Sequence, residues 1–131
     1  MLYKINIDNK YDSSKLLFSI PVHENQEIIN NQLENIFNYN PNSKIILHIN
    51  KSFSTYDESF TKYHNLFINP VQNKYEYAKG LLLIHINNFL EAIKQNIIFD
   101  YFIIISSNEM FVKHNLISYI NKFKNGSQIV K

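Results

Sequence analysis

The chain has 131 residues, a length that suits one domain with its own apolar core, and its 45% hydrophobic and 15% aromatic content is ordinary for a globular fold. It contains no cysteine, which excludes disulfides, thiolate catalysis and cysteine zinc sites and fits a reducing compartment. Formal net charge is +2 and all 13 basic residues are lysine, none of them in a run, which speaks against a nucleic-acid footprint with its basic stripe and bidentate arginines.

Taken in order, residues 1–13 alternate weakly, with Tyr3, Ile5 and Ile7 against Lys4, Asn6 and Asp8, as a short edge strand would before the turn-prone Asp8-Asn9-Lys10. Lys15-Leu16-Leu17-Phe18-Ser19-Ile20 reads as the first strong strand, and Pro21 is expected to end it because proline cannot donate to a ladder. A helix follows: Asn25 can cap it, Glu27 suits its first turn, and Ile29, Leu33, Ile36 and Phe37 share one face. Asn40-Pro41-Asn42-Ser43 is a turn, and Lys44-Ile45-Ile46-Leu47-His48-Ile49-Asn50 is a second buried strand that completes a βαβ unit.

Residues 53–62 read as a loop or short helix, and Leu66-Phe67-Ile68 as a short third strand stopped by Asn69-Pro70. From Tyr75 to Asn96 the pattern is that of a long helix burying Leu82, Ile86, Phe89, Leu90 and Ile93. The run Tyr101-Phe102-Ile103-Ile104-Ile105 has no polar face and suits a strand covered on both sides, as in the middle of a parallel sheet. A last helix is expected from about Leu116 to Phe123, with Asn115 as N-cap and Asn125-Gly126 as its stop signal. The alternation of strands and helices predicts an α/β three-layer sandwich with a mainly parallel sheet in strand order 3-2-1-4. No apolar run approaches the roughly 20 residues of a membrane span and the N-terminus lacks a signal-peptide pattern, so a soluble, cytoplasmic protein is expected.

In open α/β sheets ligands sit outside the carboxyl ends of the strands, which makes residues 106–113 the first candidate site. Two glycines, Gly80 and Gly126, cannot make a dinucleotide-binding turn or a phosphate-binding loop. The five histidines show no metal-ligand spacing; His48, within a strand, reads as a hydrogen-bonded core residue, and His23-Glu24 at a strand end as either a site pair or a solvated loop pair. Glu109 stands where a carboxylate could hold a metal-diphosphate or a sugar hydroxyl, or could simply favour the following helix N-terminus. Lys113 could neutralise a phosphate.

Three places carry a resemblance to the core-2/I-branching beta-1,6-N-acetylglucosaminyltransferase family. Ile45-Ile46-Leu47-His48-Ile49-Asn50-Lys51 is similar to that family's "IHVDK" strand end, after a turn like that at residues 40–43. The stretch from Asp100 to Asn115 resembles "DYFINLCGxDFPLKTN" without a gap, with Glu109 for the family's Asp and Ser106-Ser107 for its Cys-Gly. Asn87 fits an Asn in the family's "ADLNC" segment.

The resemblance implies the N-terminal, nucleotide-sugar-binding half of a glycosyltransferase-A type fold. It places Val22 and Asn50 at a uridine pocket, with Tyr75 or Tyr77 near the base; the strand-end rule puts His23, Ser106, Ser107 and Glu109 at the same edge. Asn50 replaces an Asp, an amide that can still meet a pyrimidine edge. It further implies a UDP-sugar donor, N-acetylglucosamine transfer to a carbohydrate acceptor, and no metal cofactor, Mn²⁺ at Glu109 being the alternative. The family's catalytic glutamate and diphosphate-binding basic residues lie in a second, acceptor half that has no counterpart in this chain. Partners expected are therefore that complementary half or a second copy, since a sheet stripped of its cover keeps an exposed apolar face. Two other readings stand beside it: a non-catalytic interaction module, and an unrelated flavodoxin-like domain for another small ligand.

Overall fold

The computed structural model describes residues 15–50, 62–71 and 78–122. Its centre is strand β1 (Leu16–Val22), all seven residues of which are buried. The two-residue period of a strand sends Leu16, Phe18, Ile20 and Val22 into one apolar cluster and Leu17 into another on the opposite face. Helix α1 (Gln26–Tyr39) starts at Asn25, whose side chain accepts the Ile28 N–H at 3.0 Å, and it buries Ile29, Gln32, Leu33 and Ile36. After a turn closed by Ser43 on the Asn40 carbonyl, strand β2 (Lys44–Ile49) runs parallel to β1.

Strand β3 (Leu66–Ile68) lies outside β2. Helix α2 (Ala78–Lys94) leads to strand β4 (Tyr101–Ile104), and the short helix α3 (Leu116–Ile120) follows. The sheet order is β3-β2-β1-β4 with every pair parallel, as the βαβ reading predicts. The larger cluster joins the β1 and β2 residues of one face to α1, α3 and Phe111, and each fully buried Leu, Ile or Phe there contributes about 1.5–3 kcal/mol. On the other face α2 covers a smaller cluster of Leu17, Ile46, Ala92 and Ile97. No helix among the described residues is long and apolar enough to cross a membrane.

Helix α2 stops at an asparagine in place of the usual glycine. Asn96 takes φ 56°, its N–H reaches the Ile93 carbonyl at 3.1 Å, and the Ile97 N–H reaches Ala92 at 3.0 Å. This is a Schellman closure with its customary apolar contact between Ile97 and Ala92.

Four expectations are corrected. Pro21 does not end β1, since it pairs with His48 inside the ladder. Even-numbered residues of β1 bond toward β2, as Val22 does with Asn50, whereas Ser19 bonds toward β4; the missing Pro21 N–H therefore faces the β4 side, beyond the last pair Ser19 and Ile104. Strand β4 is at the sheet edge and Ile104 is exposed, so its apolar run does not mark the middle of the sheet; β1 has that place. Leu82, Ile86, Phe89, Leu90 and Ile93 of α2 are exposed, and the buried face is Ile84, His85, Asn88 and Ala92. Asn115 precedes α3 in the left-handed conformation, φ 71°, without a side-chain capping bond, and α3 passes to its C-cap at Asn121. The expected N-terminal edge strand, the 53–61 segment and the Asn125-Gly126 stop signal lie outside the described residues.

Candidate functional site

Because all four strands are parallel, their carboxyl ends meet at one edge, and the end of β1 is bound directly to both neighbours. On one side the Asn50 N–H donates to the Val22 carbonyl at 3.0 Å. On the other side the His23 imidazole meets Ser107, with Oγ 3.2 Å from Nδ1 and 3.4 Å from Nε2, while Nδ1 also lies 3.3 Å from the Pro21 carbonyl. The Glu24 carboxylate is 3.5 Å from His23 Nε2. His23 is thus part of the edge as well as a solvated loop residue. Val22, Asn50 and Ser107 are buried and form its floor, whereas His23 and Glu109 are exposed and Ser106 is half-buried.

The turn after β4 holds itself. Glu109 accepts the Ser106 N–H through Oε2 at 2.9 Å, and the Ser106 hydroxyl meets Asn108 Oδ1 at 2.9 Å. The Glu109 carboxylate, expected to hold a ligand or to favour the following helix, closes its own turn through one oxygen. Helix α1 fixes that turn from below: Gln32 Nε2 donates to the carbonyls of Ser106 at 2.6 Å and Glu109 at 2.9 Å. Asn35 clasps the backbone of Phe111, donating to its carbonyl at 3.0 Å and accepting its N–H at 2.7 Å. Sequence reasoning missed both residues. The available signal was Gln32 itself, a polar residue on the same helical arc as Ile29, Leu33 and Ile36.

This anchoring divides the candidate stretch. Gln32 holds residues 106 and 109, Asn35 holds 111, and Tyr39 packs on His114 with ring centroids 4.5 Å apart, so the chain runs back along α1 toward the opposite edge of the sheet. Residues 106–109 stay at the carboxyl edge. Lys113 is carried away from it, which corrects the reading of 106–113 as one site. The returning stretch and α3 line a cavity of about 570 Å³ that includes Lys113, Tyr119 and Lys122. Tyr75 and Tyr77 lie outside the described residues. Asn87, the α2 residue singled out by the resemblance, is half-buried, and its neighbour Asn88 is the one fully enclosed.

Beneath α2 lies a polar core that the sequence did not suggest. Ser19 Oγ is 2.8 Å from His85 Nδ1 and receives Asn88 Nδ2 at 2.9 Å; Asn88 Oδ1 accepts Asn69 Nδ2 at 3.0 Å, and Asn69 Oδ1 accepts the Val71 N–H. Asn69 also donates its backbone N–H to Leu47 at 2.8 Å, which ties the end of β3 to β2. Burial pushes the His85 imidazole below the usual histidine range, and burial does the same to His48, a core residue as expected, partly offset by a backbone hydrogen bond. Among the described residues no group of three or more His, Asp or Glu gathers as a metal site would require.

No protein-family model matches the chain, and a search of curated proteins gives no match.

Proposed function

We propose that this chain is the nucleotide-sugar-binding part of a glycosyltransferase that takes a UDP-sugar and, when completed by an acceptor-binding half, transfers the sugar, N-acetylglucosamine by resemblance, to a carbohydrate hydroxyl. The observation that supports this reading best is the convergence of Val22, His23, Asn50 and Ser107 at one carboxyl edge, bound to each other through the Asn50–Val22 and His23–Ser107 contacts. A floor of buried groups with a polar rim is the form of a small-ligand site at the ends of parallel strands. Val22 and Asn50 would form the floor beneath uracil, and His23 and Ser106 would meet the ribose.

Among the described residues, phosphate recognition is the weak part of this site. Lys113 is drawn away from the edge, and the Glu109 carboxylate beside it would repel a diphosphate. Charge-assisted phosphate contacts are worth roughly 1.5–3 kcal/mol each, so their absence among the described residues predicts affinity of about millimolar at best, with uridine nearly as good as UDP. Ligand-observed NMR with uridine, UDP and ADP, with and without Mn²⁺, tests the proposal. Uridine and UDP signals that exceed those of ADP and do not need Mn²⁺ are expected. Equal signals for ADP and UDP, or none at several millimolar, would remove the nucleotide-sugar reading, and strict Mn²⁺ dependence would give Glu109 a metal role.

A second reading, an interaction module acting through protein contacts, is favoured by the apolar residues that α2 turns to solvent.

A further inference from the structure

Helix α2 is inside out for a helix at the surface of a single chain. Toward the sheet it presents His85 and Asn88 beside Ile84 and Ala92; toward solvent it presents Leu82, Leu83, Ile86, Phe89, Leu90 and Ile93, which are 39–66% exposed. It cannot be turned over. Asn88 is bonded to Ser19 and Asn69, and His85 to Ser19, so rotation about the helix axis would strand buried polar groups on both the helix and the sheet. Polar anchors therefore hold the apolar face outward. That face continues beyond the helix: Phe89 meets Phe99 and Phe102 edge-on, with centroids 5.9 and 5.3 Å apart, and the exposed Ile98 and Ile104 stand beside these rings in the chain.

The area fits a specific interface. At roughly 150–250 Å² per large side chain, the α2 residues leave on the order of 600 Å² of apolar surface open, and Ile98 and Ile104 bring it near 800 Å². The largest apolar patch on an ordinary monomer is about 300–600 Å², and a standard stable interface buries about 800 Å² on each partner. We propose that this face is the contact through which two copies of this chain pair, α2 against α2 about a two-fold axis. An isologous contact needs a surface complementary to itself. The six residues carry no charge, and the exposed Lys94, four residues after Leu90, stands at the end of the stripe where it can keep its solvent. Leu83, Ile86, Leu90 and Ile93 fall alternately three and four residues apart, the spacing at which two helices about 25 Å long interlock their side chains. The proposal does not depend on nucleotide binding.

Light scattering coupled to size exclusion, on the full chain from about 5 to 200 µM, tests it. The expected result is a mass of twice 15.6 kDa at the upper end, dissociating on dilution. Leu90→Glu and Ile86→Lys should each weaken pairing by about a hundredfold or more, because each would bury an unpaired charge, while leaving the circular dichroism spectrum unchanged. Asn38→Glu, which puts the same charge on the exposed side of α1, should leave the dimer intact. A monomer at every concentration, polydisperse aggregates in place of a dimer, or a dimer that persists in both α2 variants would overturn the proposal.

Discussion

The Ser19 hydroxyl of the central strand stands 2.8 Å from Nδ1 of His85 on the helix above it, in a part of the core closed to water. Asn88 Nδ2 donates to that oxygen, and the hydroxyl proton can be given to Nδ1 when the imidazole is neutral there. Protonation of the ring would place a charge in that closed part of the core.

The first prediction is therefore a loss of stability toward acid. Burial lowers the His85 pKa in the folded chain relative to the ordinary value near 6.5, so the unfolded chain binds the proton first. The stabilisation is complete above about pH 6.5 and declines as pH falls below it, and His48 adds in the same direction. Urea midpoints at pH 7.5 and 5.0 should show the lower value at pH 5.0, and His85→Gln should flatten the dependence. An unchanged midpoint would mean that His85 stays paired when charged.

Replacing Asn88 by Ala removes the acceptor of Asn69 Nδ2 and one of the two partners of Ser19, which keeps His85. A buried polar group left unsatisfied costs about 1–3 kcal/mol, so a loss of about that size is expected in urea denaturation from the Asn69 amide alone, with the end of β3 loosening first. Amide exchange at Asn69 and Val71 reads that loosening directly.

Gln32→Ala should release the turn at the carboxyl edge without breaking α1. The two lost bonds to Ser106 and Glu109 predict about 1–3 kcal/mol of destabilisation. They also predict faster amide exchange over residues 106–109 and a weaker uridine signal. Uridine binding that survives while the turn exchanges freely would place the nucleotide elsewhere.

At Asn96, Gly should match or slightly exceed the native stability, whereas Ala should cost about 1 kcal/mol, because the position is left-handed at φ 56°. Thermal unfolding of the two variants checks the order.

The sheet order was legible because short strands separated by a helix leave few parallel arrangements, and the Asn25 cap and the Ile29, Leu33, Ile36 face could be read directly. The α2 face could not. Apolar residues nearly encircle that helix, and periodicity alone cannot say that His85 and Asn88 turn inward while Leu82 and Leu90 turn out; the deciding partner, Ser19, lies 66 and 69 residues away in the chain. The same distance hid the Gln32 and Asn35 anchors, whose partners lie 74–77 residues on. The carboxyl edge was legible as a place, through Val22, Asn50 and residues 106–109, but not as a division of 106–113 into a part that stays and a part that leaves.

Pro21 acts as a zip stop. With no donor to offer on the β4 side, β1 cannot lengthen its ladder past Ser19, and the strand beside it must peel off after Ile104 whatever its own preference for extended structure. Beyond that point the two strand ends are joined through the His23 ring, which meets the Pro21 carbonyl and Ser107. Where the ladder ends is thus tied to an absent hydrogen at one position, and the side-chain bridge through His23 takes over from the backbone there.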